Sequence, residues 1–221
     1  MVYLVNCDYK LWFKNYASVS CLEVTMARPS MASERTQQII DATIRTIAKH
    51  GYAETTLDRI AQESGLARGH VRHYVGNRQN LIREAIKSYY FHDYDSGAFW
   101  PGAITTVQQA VDYLFSNDFI GTREENKLIF GFIEAARTDQ EISDIMLSVY
   151  MGAEKDLARL LKKEHPEISS SHLNKIAFGV VSIAIHNVFL LDISAQAKTT
   201  SLAKSSAQLI ISSLTTTKEN S

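Results

Sequence analysis

Arg68 and Arg72 stand four residues apart in the run Arg68-Gly-His-Val-Arg-His-Tyr-Val75. On a helix that spacing places both guanidinium groups on one face, one turn from each other. A guanidinium is a rigid fork of donors. Two chemistries suit it in this setting, a bidentate bond to a guanine edge and a clasp on a phosphate. Gly69, His70 and His73 also point outward from such a helix, and each histidine balances a base or phosphate contact against a bystander role. His70 and His73 have the spacing of metal ligands, but the sequence supplies no third ligand, so no metal is assigned. Arg78 comes next. At the start of a further helix, its cation and the nearby backbone N–H groups would meet a phosphate. For Arg68 and Arg72 the bland alternative is a solvated basic face.

The elements that must position these side chains are short and well punctuated. Thr55-Thr56 offers an N-cap for a helix over 57–64, and Gly65 stops it. Thr56 is more securely a cap than a phosphate ligand, and it can be both. A second short helix runs from about 67 to 74, and Gly76-Asn77 marks a turn. Ile60, Ala61, Leu66 and Val71 supply a small apolar seam between the two. A seam of that kind around a turn glycine is the physical minimum for a helix-turn-helix, here about 56–75. Before it, residues 36–50 carry Ile40, Ile44, Ile47 and Ala48 on one stripe, ending in Lys49-His50-Gly51. After it, a helix from Arg78 carries Leu81, Ile82, Ala85, Ile86 and Tyr89.

The charge balance agrees with this placement. The 221-residue chain holds 23 Lys+Arg and 24 Asp+Glu. Residues 27–87 hold ten basic and six acidic side chains, and residues 88–221 hold eleven and sixteen. A module of +4 thus precedes a body of −5, which points to nucleic acid for the first part only.

The body reads as longer helices over 104–116, 122–138, 140–164, 171–193 and 200–215, with no strand pattern and no repeat. The fold class expected is all-α: an N-terminal three-helix DNA-binding domain followed by an α-helical ligand-binding and dimerisation domain. Aromatic and methionine side chains are plentiful there, and at helical spacing most such residues are core. The candidates for an effector pocket are Trp100, Tyr113, Phe130, Met146, Tyr150, His186 and Asn187. His186 and Asn187 stand out because polar side chains in an apolar helix must find partners or line a cavity. Their bland reading is a satisfied core or interface pair. Ile176, Val180, Ile183, Asn187 and Leu190 form a near-heptad stripe suited to a helix bundle, and of these Ile176, Val180, Ile183 and Leu190 are the candidates for a dimer interface. His92, Asp93, Tyr94 and Asp95 read as a solvated helix end.

Several classes are excluded. The apolar run 176–191 is shorter than the roughly 20 residues of a span and carries polar groups, so a helix buried on most sides is expected and no membrane partner. Cys7 and Cys21 are the only cysteines. That excludes a disulfide framework in the main body and suits the cytoplasm. Gly-x-Ser-x-Gly, P-loop, Rossmann, His-Glu-x-x-His and Glu-x-x-His patterns do not occur, so no catalytic residue or cofactor is assigned. Residues 1–25 lack a signal-peptide pattern. They read as an upstream or appended leader before Met26.

The motif resembles the TetR family of bacterial transcriptional regulators. The likeness lies in Arg35-Thr-x-x-Ile-Ile-x-Ala, Gly51-Tyr-x-x-Thr-Thr-Leu-x-x-Ile-Ala, Gly65-Leu-x-x-Gly69, His73-Tyr74, Arg78 and Leu81. It covers about 33–93 closely, and 94–221 only as a helical pattern. It implies that Thr56 contacts phosphate, that 67–74 is the recognition helix, with Tyr74 among its site residues, and that Arg78 stands where a lysine usually grips the backbone. Ala67, Arg72 and Val75 depart from the usual Ser, Tyr and Phe. The change at Arg72 replaces a tyrosine–phosphate contact with a cation. The resemblance further implies a homodimeric cytoplasmic repressor, released from a palindromic double-stranded operator by an unidentified small molecule. The alternatives are an activator or an effector-free architectural DNA-binding protein, and, further off, an all-helical enzyme.

Overall fold

The computed structural model describes residues 31–91, 104–194 and 198–216. Among them lie ten helices: α1 (Met31–His50), α2 (Leu57–Ser64), α3 (Arg68–Val75), α4 (Arg78–Phe91), α5 (Val107–Leu114), α6 (Asn117–Ile120), α7 (Arg123–Ala136), α8 (Gln140–Glu164), α9 (Ser170–Ile193) and α10 (Thr200–Thr216). The described residues contain no strand. Residues 1–30, His92–Asp95 and Trp100 lie outside the described residues, and so do the expectations attached to them.

The helices fall into two compact units. The first comprises α1–α4, α7 and residues 140–150 of α8. Its core is built from Ile39, Ile47, Ile60, Val71, Leu81, Ile82, Ile86, Phe132 and Ile142, all essentially inaccessible to solvent. α1 is buried on more sides than its expected stripe. Ile39, Thr43 and Thr46 are covered too, and the two threonines donate back to Ile39 O and Ala42 O at 2.8 and 2.7 Å. The cause is α7, which packs on α1 beside α2 and α4. Gly131 permits that approach, because a Cβ there would stand 2.8 Å from Ile47 Cγ2. The boundary expected near residue 93 therefore does not divide the packing, since α7 and the start of α8 share the core of the N-terminal helices.

At the start of α8, Asp139 caps the helix by accepting from Ile142 N at 3.2 Å. The same carboxylate, 1% exposed, accepts from Arg83 Nε at 2.9 Å and from Gln79 Nε2 at 2.5 Å. Burial alone would push this carboxyl up. The bonds from Arg83, Gln79 and the Ile142 N–H, with the Arg83 charge, outweigh it and hold Asp139 below the ordinary carboxylate range.

The second unit comprises α5, α6, residues 151–164 of α8, α9 and α10. Leu114, Leu157, Leu161, Leu173, Ala177, Val180 and Ala184 form its core. Thr106 and Gln109 build a capping box at α5, and Glu164 accepts from Val107 N at 2.8 Å. The expected helix over 104–116 is shorter, and Ser116 starts the separate turn α6.

α9 is long and apolar enough by length and composition to cross a membrane, yet only a third of its most apolar window is buried. The expected helix buried on most sides is thus corrected. Ile176 and Val180, two of the expected dimer residues, are buried in the chain's own core, and Ile183 packs against it half-buried. Leu190 is half-buried. The exposed stripe of α9 carries Phe178, Phe189 and Ile193, and that of α10 carries Leu202 and Leu209.

Candidate nucleic-acid interface

The helix-turn-helix forms where local signals place it. Thr56, in extended conformation, caps α2 by accepting from Arg59 N at 3.3 Å. Gly65 closes α2 with φ 69° and ψ 19°, the left-handed region a side chain disfavours, and its N–H reaches the Ala61 and Gln62 carbonyls. Val71 is fully buried against Ile60 and Ala61, with Leu66 packed beside them. That seam fixes which face of α3 remains outside. Ala67 precedes α3 with no side-chain cap.

Arg68, Gly69, His70, Arg72, His73 and Tyr74 are all exposed on α3. Nothing lies within 4 Å of where a Gly69 Cβ would stand. The His73 and Tyr74 rings meet edge-on at 5.3 Å. Arg68 Nη1 sits 3.3 Å from Asp58 Oδ2 on α2, with both side chains about two-thirds exposed. Asp58 was not singled out by the sequence, since the pair closes across the turn rather than along one helix.

Arg78 is placed otherwise than expected. Its Nε donates to Thr55 O at 2.5 Å and its Nη2 to Tyr52 O at 2.6 Å. Its Cζ lies 4.4 Å above the centre of the Tyr52 ring. The guanidinium is turned inward and clamps the α1–α2 turn that carries Thr56. What the start of α4 offers a phosphate is backbone N–H groups, with Asn77 Oδ1 accepting from Asn80 N at 2.9 Å. Other cations of this module are also engaged: Arg45 and Lys49 with Glu63 at 2.7 and 2.9 Å, and Arg59 with Glu54 at 2.9 Å.

The expected effector residues divide between the two units. Phe130, Met146 and Tyr150 belong to the first, and Tyr113, His186 and Asn187 to the second. Met146 is buried, and Tyr150 is packed on the core with its hydroxyl pushed up by burial. In the same unit the rings of Tyr89, Tyr90 and Phe132 cluster with centroids 5.0–6.1 Å apart. Tyr113 meets Phe119 edge-on. His186 and Asn187 do not act as a pair. His186 is exposed. Asn187 is buried, accepts from Thr199 Oγ1 at 2.7 Å and donates to Thr200 Oγ1 at 3.3 Å. Its polarity is spent on the start of α10.

Residues 39–85 match the family of bacterial regulatory proteins named tetR. The chain is 36% identical over 63 residues to the HTH-type transcriptional regulator BetI of Agrobacterium fabrum. That match covers 28% of this chain and 31% of the relative. The corresponding regulator of Paraburkholderia xenovorans is 37% identical over 62 residues, 28% of this chain and 32% of the relative. The chain thus spans about a third of the length of the curated relatives it matches. Beyond the module the likeness is one of fold. A TetR transcription regulator from Haloarcula marismortui superposes with TM-score 0.64 at 18% identity, over 82% of this chain and 98% of that one. The multidrug binding protein EbrR, solved with proflavin, superposes with TM-score 0.56 at 16% identity, over 80% and 99%.

Proposed function

This chain belongs to the TetR family through its N-terminal module, and on that premise we propose that it is an effector-responsive transcriptional regulator: a cytoplasmic repressor released from a palindromic operator by a small molecule. The observation that carries the reading is α3, a basic helix exposed along its outer face while its inner residue Val71 is fully buried. A helix held by one apolar side and bare on the other is shaped to enter a major groove. Thr56 and the first backbone N–H groups of α4 stand ready for phosphates on either side.

The exposed stripe of α9 and α10 supports a homodimer. Phe178 is 60% exposed, Ile193 61%, Leu202 70% and Leu209 72%. Large apolar side chains at helical spacing on two packed helices favour burial against a second copy in a four-helix bundle. A twofold axis would then present two α3 helices to half-sites about 34–36 Å apart.

The effector is an amphipathic or aromatic small molecule. Support for this class comes from the aromatic cluster of Tyr89, Tyr90 and Phe132, in the unit that also holds the expected pocket residues Phe130, Met146 and Tyr150. The similar fold of EbrR accommodates proflavin. A ligand that binds the two dimer states unequally by about 1–3 kcal/mol changes operator affinity roughly 5- to 150-fold.

The test is binding of a selected palindromic duplex by wild type and by the Arg68→Ala/Arg72→Ala double variant. Strong loss of affinity is expected. Unchanged binding by the double variant rejects α3 as the recognition helix.

A further inference from the structure

The outward face of α3 carries arginine, histidine and tyrosine but no carboxylate and no carboxamide. In the major groove, adenine is matched by Asn or Gln and cytosine by Asp or Glu, whereas the arginine fork matches O6 and N7 of guanine. α3 therefore has the side chains for one base and lacks those for two others. We propose that this helix reads guanine through Arg68 and Arg72, and that Asp58 is a positioning residue that holds Arg68 toward the base edge. The proposal rests on the DNA-binding reading above and adds the sequence chemistry of the operator.

Three observations support it. Arg72 is exposed and has no side-chain partner among the described residues, so its fork is available. Arg68 lies one turn away on the same face and is tethered to Asp58 at 3.3 Å. A carboxylate at that point is repelled by phosphate. Its presence makes a phosphate clasp by Arg68 less favourable than a base contact. Spacing comes from helix geometry. Four residues rise about 6 Å along α3, and base pairs stack about every 3.4 Å. The two guanines thus fall about two base-pair steps apart in each half-site.

The experiment uses the full chain. Duplexes are enriched from a random library, and each enriched guanine is replaced singly by 7-deazaguanine, which lacks the N7 acceptor. Wild type is expected to lose affinity about 5-fold or more at two guanines per half-site. Arg72→Ala is expected to be indifferent to one of these replacements and Arg68→Ala to the other. Asp58→Ala is expected to bind unrelated duplexes more tightly and to discriminate less at the Arg68 guanine. Unchanged thermal unfolding confirms that each variant is folded, and Arg72→Lys, which keeps charge but not the fork, serves as a second variant.

The proposal is overturned if the enriched half-sites lack guanine at the arginine-dependent positions. It is also overturned if the arginine variants weaken all duplexes equally and lower the salt slope by about 1, the signature of phosphate contacts. Those outcomes leave DNA binding intact. Failure to bind any duplex instead removes the DNA-binding reading itself.

Discussion

Arg78→Ala removes three contacts at once: the bonds from Nε to Thr55 O and from Nη2 to Tyr52 O, and the stacking of the guanidinium on the Tyr52 ring. A hydrogen bond from a charged donor contributes about 1.5–3 kcal/mol, and a cation–π contact at a partly exposed site about 0.5–1 kcal/mol. Arg78 is half-buried, so the bonds count toward the lower end. The expected loss is about 3.5–4 kcal/mol, a large share of the ~5–15 kcal/mol that holds a domain folded. Arg78→Lys keeps the charge but reaches one carbonyl at best, so about half that loss is expected. Urea unfolding measures this part. The second readout is the slope of log binding constant against log salt, in which each phosphate contact contributes about −0.9. A clamp that acts through the turn leaves the slope unchanged in the folded variant. Unaltered stability with a slope smaller by about 1 refutes the inward assignment and makes Arg78 a phosphate ligand.

Four further outcomes are expected. Asp139→Asn keeps an acceptor for the cap on α8 but removes the buried charge that accepts from Arg83 and Gln79, and a loss of about 1.5–3 kcal/mol is expected. The native Asp139 carboxyl is depressed, so its contribution is complete above about pH 4 and is lost as pH falls through the lower folded value. Thermal unfolding from pH 7 to 2 should therefore show a shallower acid limb in the variant. Leu209→Asp or Phe178→Asp should convert a dimer to a folded monomer in sedimentation velocity at micromolar concentration. Gly69→Ala should stabilise α3 by about 0.5–1 kcal/mol, because its Cβ meets open space within the chain, and should weaken operator binding where DNA backbone approaches. Asn187→Leu leaves the Thr199 and Thr200 hydroxyls without their partner, and a lower thermal midpoint should report it.

What was legible in the sequence was what local chemistry decides. Thr56 and Gly65 bound α2 by side-chain capping and a left-handed glycine, and both are readable from residue type alone. The seam of Ile60, Ala61, Leu66 and Val71 needs only helical spacing. The pairs that close between elements left no such mark. Arg78 turns inward because two carbonyls of the α1–α2 turn lie within its reach, and Asp58 meets Arg68 across a turn. α9 shows a different failure. It is apolar nearly all round, so periodicity could not say which stripe faces its own core. Ile176 and Val180 went inward, leaving Phe178 and Ile193 outside. His186 and Asn187 are neighbours in sequence, but one residue turns a helix by about 100°. That step separates an exposed ring from a buried, satisfied amide. The packing of α7 on α1 rests on Gly131, whose meaning appears only when Ile47 stands against it.

The most direct test is recovery of genomic DNA fragments bound by the full-length protein, with footprinting of the enriched sites. The proposed dimer should protect a palindrome whose half-sites lie one helical turn of DNA apart, or a multiple of it. Enrichment of no sequence above background, or protection of isolated half-sites by a monomer, contradicts a dimeric operator-binding regulator.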